Sequence, residues 1–144
     1  EELTAKRLLL LGCTEIVQDP DVGIEQSEVI ATALESFCRW CVEHHGVPQD
    51  VEVERAFESF PASLRRVIGV NKALNAQEAS GDWFQVEASE DGLVIRPDSP
   101  DIPIISLSAL AEHGLEEGDF VRGAIQQDEL VVTRCYPREL SAAK

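Results

Sequence analysis

The sequence predicts an α+β protein: a helical N-terminal half, residues 1–81 with about four helices, packed with a small C-terminal five-strand antiparallel, barrel-like β unit, residues 82–144. Three observations predict it. Up to about residue 79 the apolar residues recur at helical spacing. From residue 82 onward, short β-type runs alternate with Gly, Pro and Asp turn signals. The chain of 144 residues, 44% hydrophobic and 27% charged, is large and apolar enough to bury a core without disulfide or metal support. The two regions are expected to form one body.

The first element runs from Leu3 towards Gly12, where Leu3, Arg7, Leu8 and Leu11 suit a helix. The Leu8–Leu11 run would also suit a buried strand, because periodicity does not separate the two over so short a stretch. Pro20 and Gly23 then break the chain. Ile30, Leu34, Phe37, Cys38, Cys41, Val42 and His45 form one stripe of a helix from about Ile24 to His45, ended by Gly46 and Pro48. Asp50 is suited to cap a short helix through Phe60, and Pro61 divides it from a second, Ala62 to Ala79, with Leu64, Val67, Ile68 and Leu74 on one face. Beyond Ser80-Gly81, strands are expected at 83–88 and 93–95, joined by the Glu90-Asp91-Gly92 turn. A proline-rich link leads to a strand at 104–107 and a short helix, Ser108 to His113, closed by Gly114. Strands at 120–125 and 129–133, turning at Gln127-Asp128, complete the pattern.

Charge narrows the function classes. The chain holds 27 Asp and Glu against 12 Lys and Arg, a net charge of −15, and residues 1–81 and 82–144 are both acidic. Nucleic acids and anionic membranes draw affinity from clustered Lys and Arg, so both are disfavoured as partners; a protein partner, with a basic surface suited to the acidity, is favoured. The basic points are Lys6-Arg7, Arg65-Arg66 and Arg134/Arg138. With no long apolar run and no secretory pattern at the start, the chain reads as soluble and cytoplasmic, and Cys13, Cys38, Cys41 and Cys135 as reduced thiols.

Chemistry-bearing patterns are sparse. Cys38, Cys41 and His45 fall at i, i+3 and i+7, a spacing that could present zinc ligands, yet a fourth ligand is missing and the same positions complete the apolar stripe. A redox role for the pair is opposed by its place near a helix C-terminus, where the dipole raises thiol pKa. No nucleophile elbow, phosphate-cradling glycine loop or His-Glu-x-x-His motif occurs. The acid pairs Glu52/Glu54, Glu90/Asp91 and Glu116/Glu117 read as solvated surface. The chain is therefore expected to be no enzyme and to carry no cofactor or metal.

Trp40 falls about 120° from the stripe centre by helical geometry, alongside Val29, Ala33 and Ser36. It either covers the core edge or anchors a partner, as exposed tryptophan often does. The aromatic pair Trp83-Phe84 lies at the junction of the two regions. Val29, Ser36, Trp40, Trp83 and Phe84 are thus the candidate partner-binding residues of a non-enzymatic regulatory protein.

Residues 102–134, with Ile104-Ile105-Ser106-Leu107 followed by Ser108 to Gly114, Leu115, Gly118-Asp119, Phe120-Val121 and Glu129 to Val132, resemble the swapped-hairpin barrel of the AbrB/MazE/SpoVT group. They are also similar to the half-motif of double-psi barrels. The resemblance implies a cradle-loop barrel, a homodimer built from exchanged hairpins and a regulator or antitoxin that binds DNA. The segment carries Glu112, Glu116, Glu117, Asp119, Asp128 and Glu129 against Arg122 and Arg134, so no DNA-contacting residue carries over.

Overall fold

A computed structural model describes residues 3–75 and 78–143. The fold is α+β, with, among the described residues, four α-helices, two 3-10 segments and two three-stranded antiparallel sheets.

Helix α1, Ala5–Gln18, is capped by the Thr4 hydroxyl, which accepts from the Arg7 amide at 3.1 Å. It continues through Gly12 rather than ending there. A Cβ at Gly12 would overlap the Leu34 side chain, so glycine at this position lets α1 and α2 approach closely. A 3-10 turn, Ile24–Gln26, leads into α2, Ser27–His44. Gly46 follows with φ +68, and the Val47 amide reaches back to the Cys41 carbonyl at 3.4 Å, which closes the helix as expected.

Helix α3, Val51–Ala73, is capped by Asp50, whose carboxylate accepts from the Val53 amide at 3.1 Å. The two helices expected on either side of Pro61 are one. Proline removes a helical hydrogen bond and crowds the preceding turn, but Phe57, Phe60, Ser63 and Leu64 are all buried on the continuous face, and that packing outweighs the break. The helix expected through Ala79 stops at Ala73; residues 76 and 77, inside that expected span, lie outside the described residues. The N-terminal region therefore has three α-helices and a 3-10 turn instead of four helices.

The β region has six short strands instead of five: β1 Asp82–Gln85, β2 Glu87–Ser89, β3 Gly92–Ile95, β4 Ile105–Ser106, β5 Phe120–Gln126 and β6 Glu129–Tyr136. The first expected strand is split at Val86. There the chain leaves the β1-β5-β6 sheet for the β2-β3-β4 sheet, and the Val86 backbone pairs with Asp119 and Gly118 at 2.8 and 2.9 Å. Among the described residues the strands close no barrel. Helix α4, Ser108–Ala111, is followed by Gly114 at φ +115, and Gly118 turns at φ +90. Gln127 and Asp128, both at positive φ, make the β5–β6 turn. A last 3-10 segment, Arg138–Ala143, lies against α1 and α3.

Both hydrophobic clusters cross residue 81. In one, Leu9, Cys13, Ala31, Phe57, Phe60 and Leu64 of α1–α3 pack with Phe120, Tyr136 and Leu140. In the other, Val67 and Val70 from the second half of α3 pack with Val86, Ile95, Leu110, Val121 and Cys135. Polar ties reinforce the seam. Asn71 pairs with the backbone of Cys135 through both its amide groups, at 2.8 and 3.0 Å, and Arg66 embraces the fully buried Asp119.

A candidate interaction surface

The buried stripe of α2 is Ser27, Ala31, Cys38 and Cys41, with Leu34 and Val42 half-buried beside it. It is rotated from the expected stripe, because the small residues, not the aromatic one, face α1 and α3. Phe37 is 49% exposed and His45 is exposed, so neither belongs to the core face. Cys38, Cys41 and His45 accordingly do not share one face. Among the described residues no group of three or more His, Cys, Asp or Glu could hold a metal ion.

Among the polar residues that α2 turns outward runs an apolar and aromatic stripe. Val29 is 72% exposed and Trp40 48%, with Ala33 and Ser36 exposed between them. The Trp40 ring stacks on Phe37 at 6.1 Å between centroids, with His44 at 6.0 Å and His45 at 4.4 Å. These contacts hold a cluster of mutually tilted rings on the surface. Val29, Ser36 and Trp40 thus share one open face, while Phe37 and His44, which the sequence did not single out for binding, extend it. The signal was present: Val29, Ala33, Phe37, Trp40 and His44 step by four, four, three and four, a second helical stripe opposite the first.

Trp83 and Phe84 are brought to a different place. They line a groove of about 360 Å³ on β1, a sheet-edge strand, together with Leu10, Phe120, Leu140 and Ala143. Trp83 is 42% exposed; its ring lies 4.3 Å from that of Tyr136, and the Arg122 guanidinium sits over it at 5.3 Å. Leu10 and Leu140 were not legible as site residues, since only the folded chain brings α1 and the last 3-10 segment beside β1.

The remaining chemistry is internal. All four thiols are reduced and buried. Burial pushes Cys38 up to about 11 and Cys135 to about 12, and burial with help from Glu139 also raises Cys13, so these three are not ready thiolates at neutral pH. Three of the arginines are engaged within the protein, while Arg65 is exposed. Arg66 is paired with Asp119 and Glu116, Arg134 is buried with a 3.4 Å bond to the Val17 carbonyl, and Arg122 covers Trp83. No helix among the described residues is long and apolar enough to cross a membrane.

Comparison of the chain with protein-family models, curated proteins and solved structures yields no match.

Proposed function

We propose that this is a non-enzymatic binding or regulatory protein whose outer α2 face docks a partner protein. One observation carries the reading: Phe37 and Trp40 stack on each other at the surface of a helix whose buried face is already complete without them. Single exposed apolar residues are ordinary, but a rigid aromatic pair continued by Val29 and Ala33 is the composition of an interface centre. The Trp83–Phe84 groove is a second apolar surface of the same protein. The AbrB-type reading, regulation through DNA, has no comparable support, since Arg66, Arg122 and Arg134 are engaged within the protein.

The test is purification of the tagged chain from its own host, beside Trp40→Ala and Trp83→Ala variants. A stoichiometric protein partner, absent from the Trp40→Ala preparation while that variant keeps its unfolding midpoint, is the expected result. A partner retained by both folded variants, or a peak carrying nucleic acid and no protein partner, would overturn the reading.

A further inference from the structure

We propose that the partner of the outer α2 face is a second copy of this chain, with the two α2 helices antiparallel across a twofold axis that passes between Ser36 and Phe37. This rests on the reading that the face docks a protein, and it names that protein. The exposed stripe is Val29, Ala33, Phe37, Trp40 and His44, with Ser36 exposed beside it. Its large apolar members Val29, Phe37 and Trp40 are each about half exposed or more, so the area that a second molecule would cover is still open.

Side-chain size is graded along the stripe. The N-terminal half carries Val29, Ala33 and Ser36, and the C-terminal half carries Phe37, Trp40 and His44. In an antiparallel pair centred between Ser36 and Phe37, each residue before the centre meets the one equally far beyond it on the other helix. Trp40 then lies on the second copy's Ala33, His44 on its Val29 and Phe37 on its Ser36. Each large side chain meets a small one, so the stripe is complementary to its own reversal, as an isologous interface requires. A parallel pair would set Trp40 against Trp40 and Ala33 against Ala33, wedging the helices apart at one end and leaving a gap at the other. The Trp40 ring is already held by Phe37 and His45, at 6.1 and 4.4 Å between centroids, so little side-chain freedom is left to lose on contact.

Charge favours a copy over a basic partner. None of the stripe residues is acidic, in a chain of net charge −15. A basic segment would find no carboxylate on the stripe, whereas two copies meet there without burying one. The carboxylates of α2, Glu28, Glu35 and Glu43, lie to the sides of the stripe by helical geometry. Two chains of this charge repel as wholes, so added salt strengthens their association, the opposite of its effect on a basic partner. With aromatic side chains of about 150–250 Å² each, the exposed parts of the stripe amount to about 400–600 Å² per copy. That is about 800–1,200 Å² in total, the size of a reversible rather than an obligate interface.

The test uses the full chain alone, by sedimentation equilibrium at low and high salt. Concentrations run from about 1 to 500 µM, a range that brackets the affinities of interfaces this small. A monomer–dimer equilibrium that tightens about threefold or more between about 50 and 500 mM salt is expected. Trp40→Ala and Ala33→Glu should each weaken it about tenfold or more. Ala88→Glu, the same substitution at an exposed position of β2, should weaken it less than about twofold. Two cysteine variants read the direction of the helices. The rise of an α-helix puts the two Ser36 positions beside the axis and the two Val29 positions about 22 Å apart, while the native thiols are buried. Mild oxidation should therefore cross-link Ser36→Cys and not Val29→Cys.

A chain that stays monomeric throughout, a dimer that loosens as salt rises, a dimer indifferent to Trp40→Ala and Ala33→Glu, or equal cross-linking at both positions would overturn the proposal. A monomeric chain that still captures a different protein through Trp40 in the host purification overturns the second copy alone and leaves the partner-binding reading standing.

Discussion

Removing the Asp119 carboxylate should destabilise the protein more than any surface change of equal size. Asp119 is fully buried and accepts four hydrogen bonds: two from the Arg66 guanidinium, one of them at 2.9 Å, and one each from the backbone amides of Glu116 at 2.8 Å and Arg138 at 3.1 Å. It thereby ties the middle of α3 to the turn before β5 and to the start of the last 3-10 segment. Burial alone would lower the Arg66 pKa, but Asp119, Glu116 and Glu139 reverse this and raise it. In Asp119→Ala, Arg66 keeps only the Gly114 carbonyl at 2.9 Å and Glu116 at 3.0 Å. Stranding one partner of a buried pair costs about 3–5 kcal/mol. Arg66 still pairs with Glu116, which lowers that cost, while the amides of Glu116 and Arg138 lose their acceptor; a loss of about 3 kcal/mol is expected. Against an ordinary total of about 5–15 kcal/mol, that is a large share. Urea unfolding at constant m-value measures it. Arg66→Met combined with Asp119→Ala should cost less than the sum of the singles, because no charge is then left stranded. A loss in Asp119→Ala below about 1 kcal/mol, or strict additivity, would refute the hub.

Three further outcomes are expected. Gly123 lies at the bulge between β5 and β6, where a Cβ would overlap the Val131 carbonyl, and Gly81 is packed onto its backbone; Gly123→Ala should cost about 1–3 kcal/mol in urea unfolding. Pro61→Ala restores a helical amide in α3 and should raise stability by about 1–3 kcal/mol, so a fall would mean that the ring itself packs an essential contact. The thiols are raised from 9.0 to about 11 for Cys38 and about 12 for Cys135, so folding disfavours their thiolates. The stability they contribute is complete below about pH 9 and is lost as pH rises towards 11 and 12, which urea midpoints across that range would show. Thiol reagents at neutral pH should label the native protein only as it opens.

Elements whose signals are local were legible in the sequence. The Asp50 cap, the Gly46 closure of α2, and the turns at Glu90-Asp91-Gly92 and Gln127-Asp128 rest on one or two residues and fall where expected. What failed depended on neighbours distant in sequence. Pro61 reads as a break until the burial of Phe57, Phe60 and Leu64 is known, and Gly12 reads as a stop until Leu34 is found against it. Val86 looks like mid-strand because its sheet switch is fixed by Gly118 and Asp119, over thirty residues away. Helical geometry alone placed Val29, Ser36 and Trp40 on one flank but left open whether Trp40 covers the core edge, and Phe37 was misplaced because hydrophobicity does not tell a core stripe from an exposed one.

The distribution of side-chain size around α2 argues that its outer aromatics are not there for packing. Its inward face uses Ser27, Ala31, Cys38 and Cys41, all small, and α1 comes close enough at Gly12 to fill the space they leave. A helix stabilised by burial would place its largest apolar groups inward, where each is worth about 1.5–3 kcal/mol. Here Phe37 and Trp40 stay about half exposed and contribute only part of that. The stripe of Val29, Ala33, Phe37, Trp40 and His44 contains no acid, in a chain of net charge −15. On the proposed reading such a face is where a partner protein approaches with least repulsion, and truncating Trp40 there is expected to remove contact area from that partner and little from the fold.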